Sequence, residues 1–160
     1  MALSDAQLDR YARQIIIPEV GARGQETLLA SRVWLLGHPS GVSMARRYLA
    51  ASGITTMEGQ EARNADCVLV AQPSELDTAI LARVAACGRP IAWYELTPDG
   101  YRAGVQRDGG PIPAQHGESY LHDDDAALRH AVAACDAAGS VIAALLGLEL
   151  PQDVYEARLA

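Results

Sequence analysis

The residues of this chain whose types could support chemistry are four histidines, three cysteines and one glycine-bearing turn. Gly37-His38-Pro39-Ser40-Gly41 follows the apolar run Val33-Trp34-Leu35-Leu36 and precedes a helical pattern, so it reads as a strand-to-helix turn. Such a turn can offer backbone N–H groups to an anion at the helix N-terminus. The crevice beside it, where the C-terminal ends of strands meet, is where α/β sheets hold ligands. Its composition works against that use. Pro39 has no N–H to donate and a fixed φ, and side chains obstruct the close backbone approach that glycines permit, so a structural turn is the plainer reading. His38, beside the crevice, is a candidate ligand for a small molecule, although a lone loop histidine is usually only solvated. His116, His122 and His130 are too scattered to form a metal set without tertiary help. Cys67, Cys87 and Cys135 make no C-x-x-C pair, which leaves no zinc clamp and no redox couple. Each is expected to behave as a small buried apolar residue.

The elements that must position these residues alternate along the chain. Ser4 and Gln7 fit an S-x-x-Q capping box opening a helix through about Gln14. Pro18 and Gly21 break the chain, and a second short helix is expected over 24–30. Residues 33–36, ending at Gly37, read as a buried strand. A helix is expected over 42–52, with Met44, Ala45, Tyr48 and Leu49 sharing a face and Gly53 as its stop. A brief segment at 54–57 precedes a second buried strand at 66–71. Ser74 is a candidate cap for a helix in which Leu76, Ile80, Val84 and Cys87 recur at helical spacing, ending at Gly88. Strands follow at 91–94 and 101–106, separated by the turn Thr97-Pro98-Asp99-Gly100. The Gly- and Pro-rich stretch 108–118 reads as an exposed loop. Two helices are expected after it, at 125–134 and 137–148, the second carrying the stripe Val141, Ile142, Leu145 and Leu146.

This order predicts an α/β fold: a Rossmann-like, doubly wound, mainly parallel sheet with right-handed crossovers and flanking helices. At 160 residues the chain reads as one domain. Its expected parts are an N-terminal helical segment (1–32), a Rossmann-like core (33–106), a loop (107–124) and C-terminal helices (125–160). An apolar fraction of 49% argues against disorder. No uninterrupted apolar run reaches the ~18 residues of a membrane span, and the polar, mixed-charge start is unlike a signal peptide, so a cytoplasmic protein without a membrane partner is expected. The net charge of −7, heaviest in acids at Asp123, Asp124 and Asp125, makes nucleic acid a poor partner, since phosphate binding needs a basic surface.

The first fifty or so residues resemble the start of the ThiF/MoeB/HesA family, the bacterial relatives of ubiquitin-activating (E1) enzymes. The resemblance is carried by Arg10-Tyr11-Ala12-Arg13-Gln14-Ile15, Pro18-Glu19-Val20-Gly21, Gly24-Gln25, the 33–37 strand and Tyr48-Leu49-Ala50-Ala51-Ser52-Gly53-Ile54. Weaker likenesses continue through 65–70, Arg89-Pro90-Ile91-Ala92, the 100–105 segment and 138–143. The resemblance implies the fold above and an N-terminal segment facing a dimer partner. It further implies an ancestral activity in which a carrier protein's C-terminal carboxylate attacks the α-phosphate of ATP. That chemistry needs a glycine turn for the phosphates, one carboxylate for the ribose, another for Mg2+, and cations for the triphosphate.

Most of those requirements have no match in this sequence. The family turn G-x-G-G-x-G aligns with Gly37-His38-Pro39-Ser40-Gly41-Val42, so three of its four glycines are replaced and Gly41 falls at a non-glycine position. The family's D-x-D strand end, N-x-x-R-Q run and lysine are absent, because only 57–64 separates the first helix region from the 66–71 strand. Glu58, after a short strand, is the one residue placed to imitate the ribose-binding acid, although an exposed loop glutamate is the plainer reading. Where the family carries the Mg2+-binding aspartate, this sequence has Gln72-Pro73-Ser74. The family's zinc cysteines and later reactive cysteine are also unmatched. Arg13 does align, with the arginine that reaches across the family's dimer interface to phosphates held by the other subunit. Structural salt bridges or simple exposure are the alternative for Arg10 and Arg13.

Three readings follow. The leading one is a degenerate E1-like protein that acts by association: as a homodimer, as a heterodimer with an intact ThiF/MoeB-type enzyme, or with a ubiquitin-like sulfur-carrier protein. In that reading no cofactor is required. The second is a reduced ATP- and Mg2+-dependent adenylyltransferase activating a ThiS/MoaD-like carrier. The third is a small-molecule binder or scaffold using the crevice at Gly37, His38, Ser40 and Gly41.

Overall fold

Helix α1, Asp5–Ile15, opens with the expected capping box: the Ser4 hydroxyl accepts from Gln7 N–H at 3.3 Å and the Gln7 side chain accepts from Ser4 N–H at 2.9 Å. The computed structural model describes residues 2–59, 64–112, 126–149 and 154–158. Helix α2, Gly21–Ala30, starts one turn earlier than its sequence suggests, because the chain reverses at once on the Gly21 N–H to Ile17 C=O bond of 2.9 Å. Strand β1, Arg32–Gly37, leads into α3, Pro39–Ala51. The 42–52 expectation for that helix is corrected at its start. The supposed turn residues are its first turn, since Pro39 sits at the first helical position, where its fixed φ suits the helix and its missing N–H costs nothing.

Strand β2, Thr55–Met57, is followed by β3, Cys67–Ala71, fully buried along its length. A 3-10 turn at Pro73–Glu75 then precedes α4, Thr78–Ala85, whose cap is Asp77 and not Ser74: the Asp77 carboxylate accepts from Ala79 N–H at 2.7 Å. Strands β4, Ile91–Thr97, and β5, Gly100–Gln106, form the predicted hairpin. The C-terminal region departs most from expectation. One helix, α5, Ala126–Leu145, replaces the two expected, and the last described segment is a strand, β6, Val154–Arg158. The run Ala133, Ala134, Ala137 and Ala138 has high helix propensity and its small side chains bury closely, so nothing interrupts the helix. By length and composition α5 could cross a membrane, but it lies along the sheet as a core helix. Of the expected 107–124 loop, residues 107–112 carry neither helix nor strand, and 113–125 lie outside the described residues, with His116, His122 and Asp123–Asp125 among them.

Among the described residues the strands form one sheet in the order β2-β1-β3-β4-β5-β6. The first four run parallel, β5 runs antiparallel to β4, and β6 runs antiparallel to β5, so the sheet is mixed and mostly parallel. Strand alternation divides the core. Val33, Leu35, Leu69, Ala71, Ala92 and Tyr94 face the layer holding α2, α3 and α5, whereas Trp34, Val68, Val70, Ile91 and Trp93 face α4. From β1 the chain passes through α3 to β2 on one side, then returns to β3 on the other. The ends of β1 and β3 therefore flank the switch point at which parallel sheets open a crevice.

Candidate functional site

Gly37 ends β1 with φ of +106°, and a Cβ there would lie 1.7 Å from the carbonyl oxygen of Ala71 at the end of β3. Glycine is needed so that the two strand ends can touch. Pairing continues one residue further, His38 N–H donating to Ala71 C=O at 2.9 Å. The first bond of α3 runs from Val42 N–H to His38 C=O at 3.0 Å. Ser40 and Gly41 are thus the α3 residues whose N–H groups precede the helical ladder. Gly41 is buried: a Cβ on it would stand 1.9 Å from the Tyr94 hydroxyl and 3.0 Å from Ala71 Cβ.

His38 is not the solvated loop residue its isolation suggested. Its ring stacks on His130 of α5, with centroids 3.9 Å apart and planes inclined by 3°. The Tyr94 hydroxyl lies 2.8 Å from His130 Nδ1, with the rings edge to face. His130 is 1% exposed. Burial, reinforced by the neighbouring His38, lowers its pKa to about 4, so the imidazole is neutral near pH 7. Burial also holds the Tyr94 phenol well above its ordinary value, aided by Glu75 and Glu95. With the phenol donating to Nδ1, the proton of His130 resides on Nε2, which has no partner among the described residues; buried Nδ1 of His38 has none either. Three side chains thus fill the space beside the turn, from β1–α3, β4 and α5.

On the other face of the sheet, Gln72-Pro73-Ser74 carries no carboxylate of its own, but β4 supplies one. Glu95 is 5% exposed and accepts from Ser74 N–H at 3.0 Å, from Gln72 Nε2 at 2.6 Å and from the Ser74 hydroxyl. Gln72 adopts φ of +60°, a left-handed conformation uncommon for a side chain of its size. Its amide oxygen, in return, accepts from Leu96 N–H at 2.9 Å. Burial raises the Glu95 pKa above its ordinary value, while the two Ser74 donors act in the opposite sense.

Arg13 lies exposed in the last turn of α1. That helix docks at the far end of α3 from the crevice: Gln14 Nε2 donates to Ala51 C=O at 3.2 Å, and Tyr11 packs against Gly53. A helix of the length of α3 spans about 18 Å at 1.5 Å per residue. The fold therefore keeps Arg13 well away from the Gly37–Gly41 turn of its own chain. Glu58 follows β2 and pairs with Arg46 on the exposed side of α3, both about half exposed. Gly37, His38, Ser40 and Gly41 are brought together; Glu58 and Arg13 stand apart from them. Of the cysteines only Cys67 is fully buried, its thiol pushed up to about 12 by desolvation, while Cys87 and Cys135 are partly exposed, a correction to the expectation for all three. Tyr94, His130 and Glu95 were not legible as site residues. The available signal was strand parity, which sends Tyr94 and Glu95 to opposite faces at the C-terminal end of β4.

No protein-family model matches the chain. A 54-residue stretch, 34% of this chain and 20% of the relative, is 48% identical to the "SAMP-activating enzyme E1" of Haloferax volcanii. A 53-residue stretch, 33% of the chain, is 42% identical to "Adenylyltransferase and sulfurtransferase MOCS3" of Mus musculus, of which it spans 12%. Among solved structures, PaaA superposes with a TM-score of 0.69 at 13% identity, covering 94% of this chain and 78% of that one. Escherichia coli MccB, solved with MccA-N7isoASN, superposes with a TM-score of 0.64 at 16% identity, covering 90% of this chain and 66% of that one. The matched stretches thus span a fifth or less of these curated relatives, and the structural likeness confirms the Rossmann-type architecture. Together with this sheet they make the chain similar to ThiF/MoeB-like, E1-like proteins over about a third of its length and in its fold.

Proposed function

We propose that this chain is a degenerate E1-like protein that acts by association in the cytoplasm, as a homodimer or as the partner of an intact ThiF/MoeB-type enzyme or its ubiquitin-like carrier, and does not itself adenylate. The observation that carries this reading is the filled crevice. Gly41 lies against the Tyr94 hydroxyl, and His130 is stacked on His38, so the chain's own side chains occupy the space beside the turn. The residues present fit a triphosphate with Mg2+ poorly. Pro39 lacks an N–H, His38 N–H is committed to Ala71, and the nearby buried carboxylate, Glu95, is already engaged by three donors.

The apolar character of the N-terminal side supports association. A groove of about 420 Å3 is lined by Gln14, Ile17, Val20, Tyr48, Ala51 and Ile142 among others, and Ile16 is 78% exposed beside it. MccB, which shares the fold, has been solved with MccA-N7isoASN. The exposure of Arg13 on α1, remote from its own crevice, supports a role on a second subunit.

Titration calorimetry with Mg-ATP tests the reading. No saturable binding is expected up to millimolar nucleotide; micromolar binding, or pyrophosphate exchange in the presence of a carrier protein, overturns it in favour of a reduced adenylyltransferase. Light scattering of the chain alone, and mixed with an intact family member, then separates self-association from a heteromeric role. A strictly monomeric chain that joins neither partner removes the association claim.

A further inference from the structure

The His38–His130 contact joins two elements far apart in sequence, the first turn of α3 and the N-terminal half of α5, directly over the ends of β1 and β3. Its bonding is exhausted in one protonation state. His130 is 1% exposed, Nδ1 is taken by the Tyr94 hydroxyl at 2.8 Å, and Nε2 has no acceptor among the described residues. A proton arriving at Nδ1 turns that atom into a donor, so the Tyr94 hydroxyl must reverse its role and its own proton loses its acceptor. The new charge would lie buried, stacked face to face at 3.9 Å on a second imidazole and, among the described residues, without a carboxylate partner.

We propose that the His38–His130 stack is a proton-operated latch between α3 and α5: closed while His130 is neutral, and released when His130 takes up a proton, so that the crevice at the ends of β1 and β3 opens. The surroundings of His130 favour this behaviour. The β1–α3 turn contributes His38 and β4 contributes Tyr94. Strand β3 contributes only Cys67, at its opposite end. Strand β5 contributes Tyr101, whose hydroxyl is committed to Asp136 almost two turns along α5; Arg102 points to the opposite face of the sheet, toward Glu156. On α3, Arg46 is held by Glu58 and Arg47 is exposed, and α2 carries Arg23 and Glu26; after burial, the neighbouring His38 is what lowers the proton affinity of His130. On α5 itself, Arg129 donates to Pro98 C=O at 2.7 Å. No described neighbour is placed to neutralise an imidazolium.

The test is an NMR titration from pH 8 to 3.5 that follows the His130 ring nitrogens together with amide exchange of Val42 and residues 132–134, using Ala103 and Val105 in β5 as controls. As His130 charges, protection at Val42 and 132–134 is expected to fall on the order of tenfold, beyond the intrinsic pH dependence of exchange, while the controls hold. In His130→Phe the fall should vanish. His38→Phe removes the neighbour that lowers the proton affinity of His130, so the His130 midpoint and the loss of protection should move upward in pH together. The latch is overturned if protection stays constant through the His130 titration, if the same loss persists in His130→Phe, or if His130 titrates at the ordinary histidine value. Should His130→Phe not fold, the paired shift in His38→Phe decides, and a midpoint that moves without the protection moving also overturns the latch.

Discussion

The hydroxyl of Tyr94 stands 1.9 Å from the point where a Cβ on Gly41 would begin. The phenol cannot swing aside cheaply, because it is fully buried and its oxygen is bonded to His130. Gly41 is therefore a packing glycine, required by a side chain on the neighbouring sheet layer. Gly41→Ala should destabilise by about 3 kcal/mol through overpacking. Tyr94→Phe alone should cost about 1–2 kcal/mol, because His130 Nδ1 is left unpaired. In the double variant the two losses should combine to less than their sum, since the obstructing oxygen is gone. Chemical denaturation of the four proteins measures this, and simple additivity would show that the contact is not what constrains residue 41.

Stability should also depend on pH through His130. Its folded pKa, about 4, lies below the ordinary value of 6.5, so the unfolded chain binds the proton more readily. The contribution of neutral His130 is fully present above pH 6.5 and is lost as pH falls from there toward 4. Its size should be on the order of 2 kcal/mol. His130→Phe should flatten this part of a denaturation-midpoint profile between pH 7 and 4.5. An unchanged slope would assign the dependence to another group.

The sequence was readable where a single element carries its own signal. The capping box at Ser4 and Gln7, the apolar runs of β1 and β3 and the Thr97–Gly100 turn all appear where local pattern places them. It was unreadable where tertiary packing decides. The Ala133–Ala138 stretch looks like a junction between helices until close approach to the sheet makes small residues an advantage. The alternation of Val154, Tyr155, Glu156, Ala157 and Arg158 is a strand signal, but a short one with few apolar residues. The site was less legible than the fold. His38 and His130 are ninety-two positions apart, and only the crossing of α5 over the strand ends brings their rings together. Glu95 looks misplaced in the run Trp93-Tyr94-Glu95-Leu96 until Gln72 and Ser74 are seen to meet it across β3 and β4.

Glu95 should act on the pH profile in the opposite sense to His130. Its folded pKa is raised above the ordinary 4.5 by burial, so the folded chain holds this proton more tightly. Its contribution is greatest below pH 4.5 and diminishes as pH rises through the folded value. Glu95→Gln abolishes that titration, and it also turns one acceptor into a donor facing Ser74 or Gln72. At pH 7 the variant should lose about 1–2 kcal/mol, and its stability should rise more steeply from pH 4.5 to 7 than the wild type's, because only the His130 contribution remains. A variant profile parallel to the wild type would show that Glu95 does not titrate in this window.

One carboxylate meets both of the last two strands. Asp136, on α5, accepts from the hydroxyl of Tyr101 at 2.7 Å and from that of Tyr155, which also bonds to the Ser140 side chain on the same helix. Burial and the proximity of Asp136 raise the pKa of both phenols, which keeps both as donors across the neutral range. Strand β6 lies at the sheet edge, with Val154, Glu156 and Arg158 exposed, so it has little apolar burial with which to hold itself in place. Tyr155→Phe should therefore cost only about 1 kcal/mol globally, yet accelerate amide exchange in β6 selectively, because local opening there is cheaper than global unfolding. Asp136→Ala should release both tyrosines and accelerate exchange in β6 further, leaving β1 and β3 protected. Equal acceleration in β1 and β6 would mean that β6 opens only with the whole sheet and that the Asp136 link is not its local anchor.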